Sequence, residues 1–176
     1  GEYLYHALRP EQISSIYTLS DFAESGTREL TADDYVYQIK RLADPSLHCP
    51  IGGLMAKYIV GFHEYSERVG KLRAADENLD PVALHQESML GVEALDRYRY
   101  RIRLHGKYPQ FKYWLAMYFF APMPWEAERF YGQPGMDKRN VVLNWYPIGT
   151  GPFMLAENNP NMRMVLERNP NFHEEY

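Results

Sequence analysis

Hydrophobic positions recur at helical spacing in the first half of the chain. Residues 30–45 place Tyr35, Val36, Ile39 and Leu42 on one face, and Asp44-Pro45 would end that helix. A second stripe begins after Pro50 and predicts another helix as far as Tyr65, in which Gly61 is the residue that would break or bend it. The region therefore predicts packed amphipathic helices.

Strict alternation replaces the helical pattern at residues 98–104. There Tyr and aliphatic residues alternate with Arg99, Arg101 and Arg103, which predicts a strand buried on one face and wet on the other. Residues 71–86 are polar and mixed in charge, and predict a surface excursion with one helical turn after Pro81. Short helices are predicted from Pro109 to Leu115 and over 125–131.

The C-terminal part predicts a corner followed by a hairpin. A strand-like run, 141–148, leads into Gly149-Thr150-Gly151-Pro152, where glycine permits unusual backbone angles and proline fixes φ. Residues 153–156 and 162–168 then predict two strands joined by an Asn- and Pro-rich turn. A phosphate loop is excluded because no GK[ST] follows and Pro152 stands where a helix would have to start.

Composition limits the classes of protein to which this chain can belong. The chain has 176 residues, 45% of them hydrophobic and 15% aromatic, which predicts a folded domain with a real core. A net charge of −4 argues against broad nucleic-acid binding. No apolar run approaches the roughly 20 residues of a bilayer span, and the single Cys49 excludes an internal disulfide. The sequence starts at Gly1 and not at Met, so we expect it to be an excised piece of a larger protein.

Candidate catalytic groups are sparse. Asp33 and Asp34 are adjacent on the first predicted helix and point about 100° apart, so charge compensation at the helix start explains them better than acid–base catalysis. The six histidines lack metal-ligand spacing, and no serine stands in a GxSxG elbow. The three strand arginines could bind a carboxylate, although a solvated sheet face is the favoured interpretation. An enzyme is therefore not predicted.

Three segments together resemble a known family. The corner GTGPF, the run ending in RNP and the helix LTADDYVYQIKRLADP are similar to the GTGPY and RNPxY signature and the lTAeDVvyS-type helix of family 5 extracellular solute-binding proteins, the oligopeptide-capturing subunits of ABC importers. The order of elements between residues 91 and 124 is similar too, so the resemblance covers residues 30–172. Residues 17–28 depart from the family pattern, which indicates a divergent subgroup. The signature residues are Thr31, Asp33, Asp34, Gly149, Thr150, Gly151, Pro152, Arg168, Asn169 and Pro170.

The resemblance implies a fold and a function. The expected fold is mixed α/β (α+β), a first-lobe subdomain of a periplasmic-binding-protein-like molecule, with an irregular N-terminal segment over 1–29 and the lobe-I subdomain over 30–176. The implied function is capture of oligopeptides between two lobes for delivery to a membrane permease. The implied partners are a peptide, ABC transporter permease subunits and the missing second lobe. The expected location is periplasmic, or lipid-anchored outside the cytoplasmic membrane, and no cofactor is implied.

The same resemblance nominates a ligand cleft. Residues 113–120 carry more large apolar side chains than one short helix can bury, so some of them are expected at the surface. Carried over by position, Met55, Met117, Tyr118 and Phe119 are the cleft candidates, and the alternative that all four are core stays open. Also open are a receptor of the same fold for haem, a metal chelate or another non-peptide solute, a peptide hydrolase, and an interaction module without a small ligand.

Overall fold

The structure is a computed structural model that describes residues 29–77, 79–132, 135–145, 147–159, 161–170 and 172. The chain divides into compact units, one running from Leu30 to Trp125 and another that includes Glu126 to Tyr176. The predicted irregular segment lies almost wholly outside the described residues, and the division at residue 30 stays a prediction. The mixture of helices and strands confirms the predicted fold class.

The unit from Leu30 to Trp125 contains five α-helices, two 3₁₀ turns and a β-hairpin among its described residues. In chain order these are α1 (Ala32–Leu42), a 3₁₀ turn (Pro45–Leu47), α2 (Gly52–Tyr58), α3 (Phe62–Ala75), α4 (Pro81–Gln86), β1 (Val92–Asp96), β2 (Arg99–Ile102), α5 (Phe111–Trp114) and a 3₁₀ turn (Tyr118–Phe120).

Helix α1 confirms the first sequence pattern and lies at the centre of this unit. The Thr31 backbone N–H donates to Asp34 Oδ2 at 2.9 Å, which satisfies a group that the helix cannot bond internally. Val36 and Ile39 are buried as predicted. The Tyr35 ring stacks on Tyr100 of β2, with centroids 5.2 Å apart, so one face of the β1–β2 hairpin packs on α1.

The second predicted helix is two helices. Gly61 adopts a left-handed backbone conformation with φ of 75°, and α3 begins directly after it. The break also frees backbone groups of residues 58–60, which pair with residues 103–105 at the end of the hairpin. The predicted surface excursion over 71–86 is wrong at its start because α3 continues to Ala75, whereas the helical turn after Pro81 is confirmed as α4.

The β1–β2 hairpin is shorter than its sequence pattern. The alternation covers 98–104, but the strand ends at Ile102, and Leu104 forms an isolated bridge with Ile59 instead. Strand β1 pairs antiparallel with β2, with Glu93 opposite Arg101 and an irregularity between Ala94 and Asp96. The arginines are exposed as predicted.

The other unit is organised around a second hairpin. Before the hairpin, the chain forms helix α6 (Trp125–Tyr131), as predicted, and then a 3₁₀ turn (Asp137–Arg139). Strands β3 (Phe153–Asn159) and β4 (Arg163–Arg168) pair antiparallel, with an irregularity between Leu155 and Glu157, so β3 is longer than predicted.

The predicted strand over 141–148 is wrong among the residues described there. The N–H of Val141 donates to the Met136 carbonyl at 2.9 Å, and that of Trp145 donates to Val142 at 3.0 Å. These backbone groups are bonded within local turns and are not available for a sheet. Val141, which has no exposed surface, is therefore buried from a turn and not from a strand.

Candidate binding surface

A short backbone ladder fixes the base of the candidate site. The Tyr58 carbonyl accepts from the His105 N–H at 2.8 Å, and the Val60 N–H donates to the Arg103 carbonyl at 3.0 Å. Gly91 makes this approach possible, since a Cβ added there would lie 2.2 Å from the Val60 carbonyl oxygen. The ladder holds the end of α2 against the end of the hairpin.

Three aromatic rings build on that base. Tyr58 stacks on Tyr108 with centroids 4.1 Å apart and an interplanar angle of 13°. The Trp114 ring meets both of them edge-on, 5.7 Å from Tyr58 and 5.3 Å from Tyr108. Offset-stacked and edge-to-face pairs of this kind add stability beyond the area that they bury. Helix α5 is therefore held in place by its aromatic side chains.

The 3₁₀ turn after α5 is held in place by contacts with Phe111 and with α1. Phe120 is buried and lies edge-on to Phe111 at 6.2 Å. The side chain of Gln38 on α1 donates through Nε2 to the Phe119 carbonyl at 2.8 Å. Because one end of the turn is buried and its backbone is bonded to α1, the side chains at its other end project outward in a fixed arrangement.

These contacts produce an exposed apolar surface, which we call the aromatic ledge and define as Tyr113, Leu115, Met117, Tyr118 and Phe119. Tyr118 is 87% exposed, Tyr113 64% and Met117 48%, while Phe119 is half-buried. The Lys112 ammonium lies over the Tyr113 ring, 5.1 Å from its centroid. An exposed cluster of large apolar side chains on a fixed backbone is typical of a binding surface.

The structure brings three of the four cleft candidates together. Met117, Tyr118 and Phe119 are consecutive on the ledge, and the rings of Tyr118 and Phe119 meet edge-on at 5.8 Å. Met55 is separate from them in character because it has no exposed surface and belongs to the core of α2. The roles of all four in binding stay a prediction.

The signature residues fall into two structural groups. Asp34 is 3% exposed and caps α1 together with Thr31, whereas Asp33 is exposed, so the two carboxylates do not converge. The corner and the RNP segment are in direct contact: the Asn169 N–H donates to the Pro152 carbonyl at 2.8 Å, and its side-chain Nδ2 donates to the Gly151 carbonyl at 3.0 Å. Phe153 also pairs with Arg168. The signature thus closes the base of the β3–β4 hairpin.

A concavity of about 270 Å³ lies beside α2, away from the ledge residues. His48, Cys49 and His63 are among the residues that line it. In the part of the chain that the structure describes, His, Cys, Asp and Glu side chains form no group of three or more that could hold a metal ion. Nor do the helices described there include one with the length and apolar character to cross a bilayer.

Sequence reasoning missed the base of the ledge. Tyr58 lies on a predicted helical stripe and Tyr108 in a predicted loop, and neither position signals that the two rings stack. The Gln38 anchor was also missed, because a glutamine at a helical position usually faces solvent. A signal was present only in the excess of aromatic residues over 113–120.

The comparisons with known proteins agree on one family. The family described as "Bacterial extracellular solute-binding proteins, family 5 Middle" matches residues 24–175. The periplasmic oligopeptide-binding protein OppA of Salmonella typhimurium strain LT2 is 31% identical over 144 residues, and that of Escherichia coli strain K12 is 29% identical over 144 residues. Each alignment covers 81% of this chain and 23% of the relative, so the chain spans about a quarter of the length of these relatives.

Proposed function

The chain belongs to family 5 of the bacterial extracellular solute-binding proteins, and on this premise we propose that it is part of a receptor that captures oligopeptides for an ABC importer. The receptor would close two lobes on the peptide and present it to permease subunits in the membrane. It would work in the periplasm, or lipid-anchored outside the cytoplasmic membrane. The chain would supply part of the first lobe.

The names of the relatives support the choice of ligand. Both relatives are called periplasmic oligopeptide-binding proteins, and their likeness extends over 81% of this chain. The chain spans only 23% of their length, and we propose that the rest of the receptor supplies most of the groups that contact the peptide. We therefore assign to this chain one side of the peptide-binding site.

The aromatic ledge is the observation on which that assignment rests. Tyr118 and Met117 expose apolar surface that a peptide side chain could cover, and the buried Phe120 and the Gln38 bond fix the backbone beneath them. Fully burying a large side chain contributes about 1.5–3 kcal/mol. A surface of this kind favours apolar contact without demanding one side-chain shape, which suits a receptor with loose selection.

Within the ledge, we assign ligand contact to Met117, Tyr118 and Phe119. Met55 would act indirectly, because its complete burial lets it support α2 and the base of the ledge without touching a ligand. No ionisable group is assigned a chemical step, in keeping with a binding role.

Native mass spectrometry of the full-length protein tests the function itself. Release of a ladder of short peptides on denaturation is the expected result and would set their length range. Release of haem, a metal chelate or a sugar instead would retain the family and overturn the substrate. Hydrolysis of a labelled oligopeptide by the purified protein would overturn a purely binding role.

A pair of matched variants tests the ledge. Tyr118→Ala should weaken peptide binding about fivefold to thirtyfold, as expected for an aromatic contact that is buried in a complex. Tyr98→Ala is the control, because Tyr98 is 67% exposed and lies in the turn between β1 and β2, outside the segment that forms the ledge. Calorimetric titration with one defined peptide compares them. Equal affinities for wild type and Tyr118→Ala would remove the ledge from the site while leaving the receptor function intact.

A further inference from the structure

The outer face of the β1–β2 hairpin carries a second feature that the ledge does not use. Arg99, Arg101 and Arg103 occupy alternate positions and all are exposed. Among the described residues, the carboxylates paired with their guanidinium groups are those of Glu93 and Asp96. We call these five side chains the arginine face. It carries a positive surplus on a chain whose net charge is −4.

The three arginines of this face do not have one carboxylate each. Arg99 has a carboxylate to itself, because its Nε donates to Asp96 Oδ2 at 2.6 Å. Arg101 and Arg103 share one oxygen: Arg101 Nε and Arg103 Nη2 both lie 3.0 Å from Glu93 Oε1. The hydrogen bond from Arg101 holds the pKa of Glu93 below its usual range, so this carboxyl is ionised at neutral pH. One carboxylate cannot neutralise two guanidiniums.

The shared carboxylate also orders the two arginines. Two guanidinium groups that converge on one atom are held close together, and less side-chain entropy is then lost when a further anion binds between them. The opposite face of the hairpin packs on α1 through the Tyr35–Tyr100 stack, so β2, which carries Arg99 and Arg101, has a fixed support, and the backbone of Arg103 just beyond it is bonded to Gly91. The face is preorganised for an anionic group.

We propose that the arginine face is a docking surface for an acidic segment of a partner protein. Carboxylate side chains match it best, because guanidinium and carboxylate groups form paired hydrogen bonds. Alternate residues of an extended segment lie roughly 6.6 Å apart, which is also the spacing of Arg99 and Arg101 along β2. A flat anionic membrane fits less well, since Glu93 and Asp96 lie within the same face and would oppose a uniformly negative surface.

Peptide binding to the 176-residue chain tests this assignment. The probes are two end-capped seven-residue peptides in which threonine alternates with glutamate in one and with glutamine in the other. At about 0.15 M salt, we expect the glutamate peptide to bind about threefold to tenfold more tightly than the glutamine peptide. Equal binding of the two peptides, or no binding of either, would overturn the proposal.

Three variants separate recognition from general charge. Arg101→Gln combined with Arg103→Gln should abolish the preference for glutamate. Arg163→Gln is the control and should leave it unchanged, because Arg163 is similarly exposed on β4 but is paired one-to-one with Glu157, its Nε 2.8 Å from Oε2. Glu93→Gln should tighten binding of the glutamate peptide about threefold, because it removes the competing negative charge while the amide oxygen of the glutamine can still accept from the two arginines and keep them close together.

The variant Glu93→Gln also distinguishes docking from a merely structural role. If the arginines only stabilise the hairpin, Glu93→Gln will weaken or leave unchanged the binding of the glutamate peptide, which contradicts the proposal. Vesicles of phosphatidylglycerol and phosphatidylcholine, mixed at roughly 3:7, supply the competing probe. Binding to these vesicles that depends on Arg101 and Arg103, without a preference for the glutamate peptide, would assign the face to a lipid surface instead.

Discussion

Replacing Gly91 by alanine should destabilise the protein strongly. The added Cβ would lie 2.2 Å from the Val60 carbonyl oxygen and 2.8 Å from the Val60 Cβ, and real Cβ atoms essentially never approach other heavy atoms within 3.0 Å. The Val60 backbone must therefore move by about 0.8 Å or more. A backbone carbonyl cannot turn aside as the end of a flexible side chain can.

The magnitude follows from the bonds that this movement disturbs. The Arg103 N–H donates to the Gly91 carbonyl at 2.7 Å, and the Val60 N–H donates to the Arg103 carbonyl at 3.0 Å. Each such bond contributes about 0.5–1.5 kcal/mol, and overpacking costs about 1–3 kcal/mol. We expect a loss of about 2–6 kcal/mol in the free energy of unfolding.

Urea denaturation of the 176-residue chain, followed by circular dichroism, measures this loss. Gly53→Ala is the matched control, because the same methyl group would meet no atom within 4 Å in helix α2. That variant should be neutral or more stable by up to about 1 kcal/mol, since alanine favours a helix over glycine. A free energy of unfolding for Gly91→Ala within about 0.5 kcal/mol of wild type would contradict the predicted clash with Val60.

Two further predictions concern buried charges on and beside α1. Arg73→Ala should cost about 3–5 kcal/mol in chemical denaturation, because both Arg73 Nε and Nη2 donate to Asp44 Oδ2, and the Asp44 side chain has no exposed surface. A loss below about 1 kcal/mol would contradict it. Burial lowers the pKa of Lys40 from its ordinary 10.5, so its charged form opposes folding below the folded-state pKa, and stability relative to Lys40→Met should rise as pH increases from that pKa towards 10.5. A pH-independent difference between the two proteins would be the contrary result.

Local sequence pattern was sufficient for most helices. Helix α1 has a cap, an apolar face and a proline near its end, and all three signals agree because they act within a few residues. The break between α2 and α3 was visible as Gly61, although the pairing of Tyr58 and Val60 with the hairpin was not. Such pairing joins residues more than 40 positions apart and leaves no local trace.

The sequence indicated which residue types form the two proposed binding surfaces, but not how their side chains are arranged. The aromatic excess over 113–120 indicated exposed apolar side chains, but composition alone could not tell Met117 and Tyr118 from the buried Phe120. The arginines were correctly expected at the surface. Their sharing of Glu93 depends on strand register, which only the paired hairpin determines.

The Asn169 contact with the GTGP corner has a consequence for how the chain can be altered. Asn169 bonds to both Pro152 and Gly151, so the polypeptide enters and leaves the β3–β4 hairpin at nearly the same point in space. The segment between them is an excursion whose removal leaves two chain ends already side by side. Residues 153–168 can therefore be treated as a replaceable segment. Its strands could be shortened or exchanged, or a label could be placed at the turn near Met162, while the chain before Phe153 and after Arg168 keeps its course.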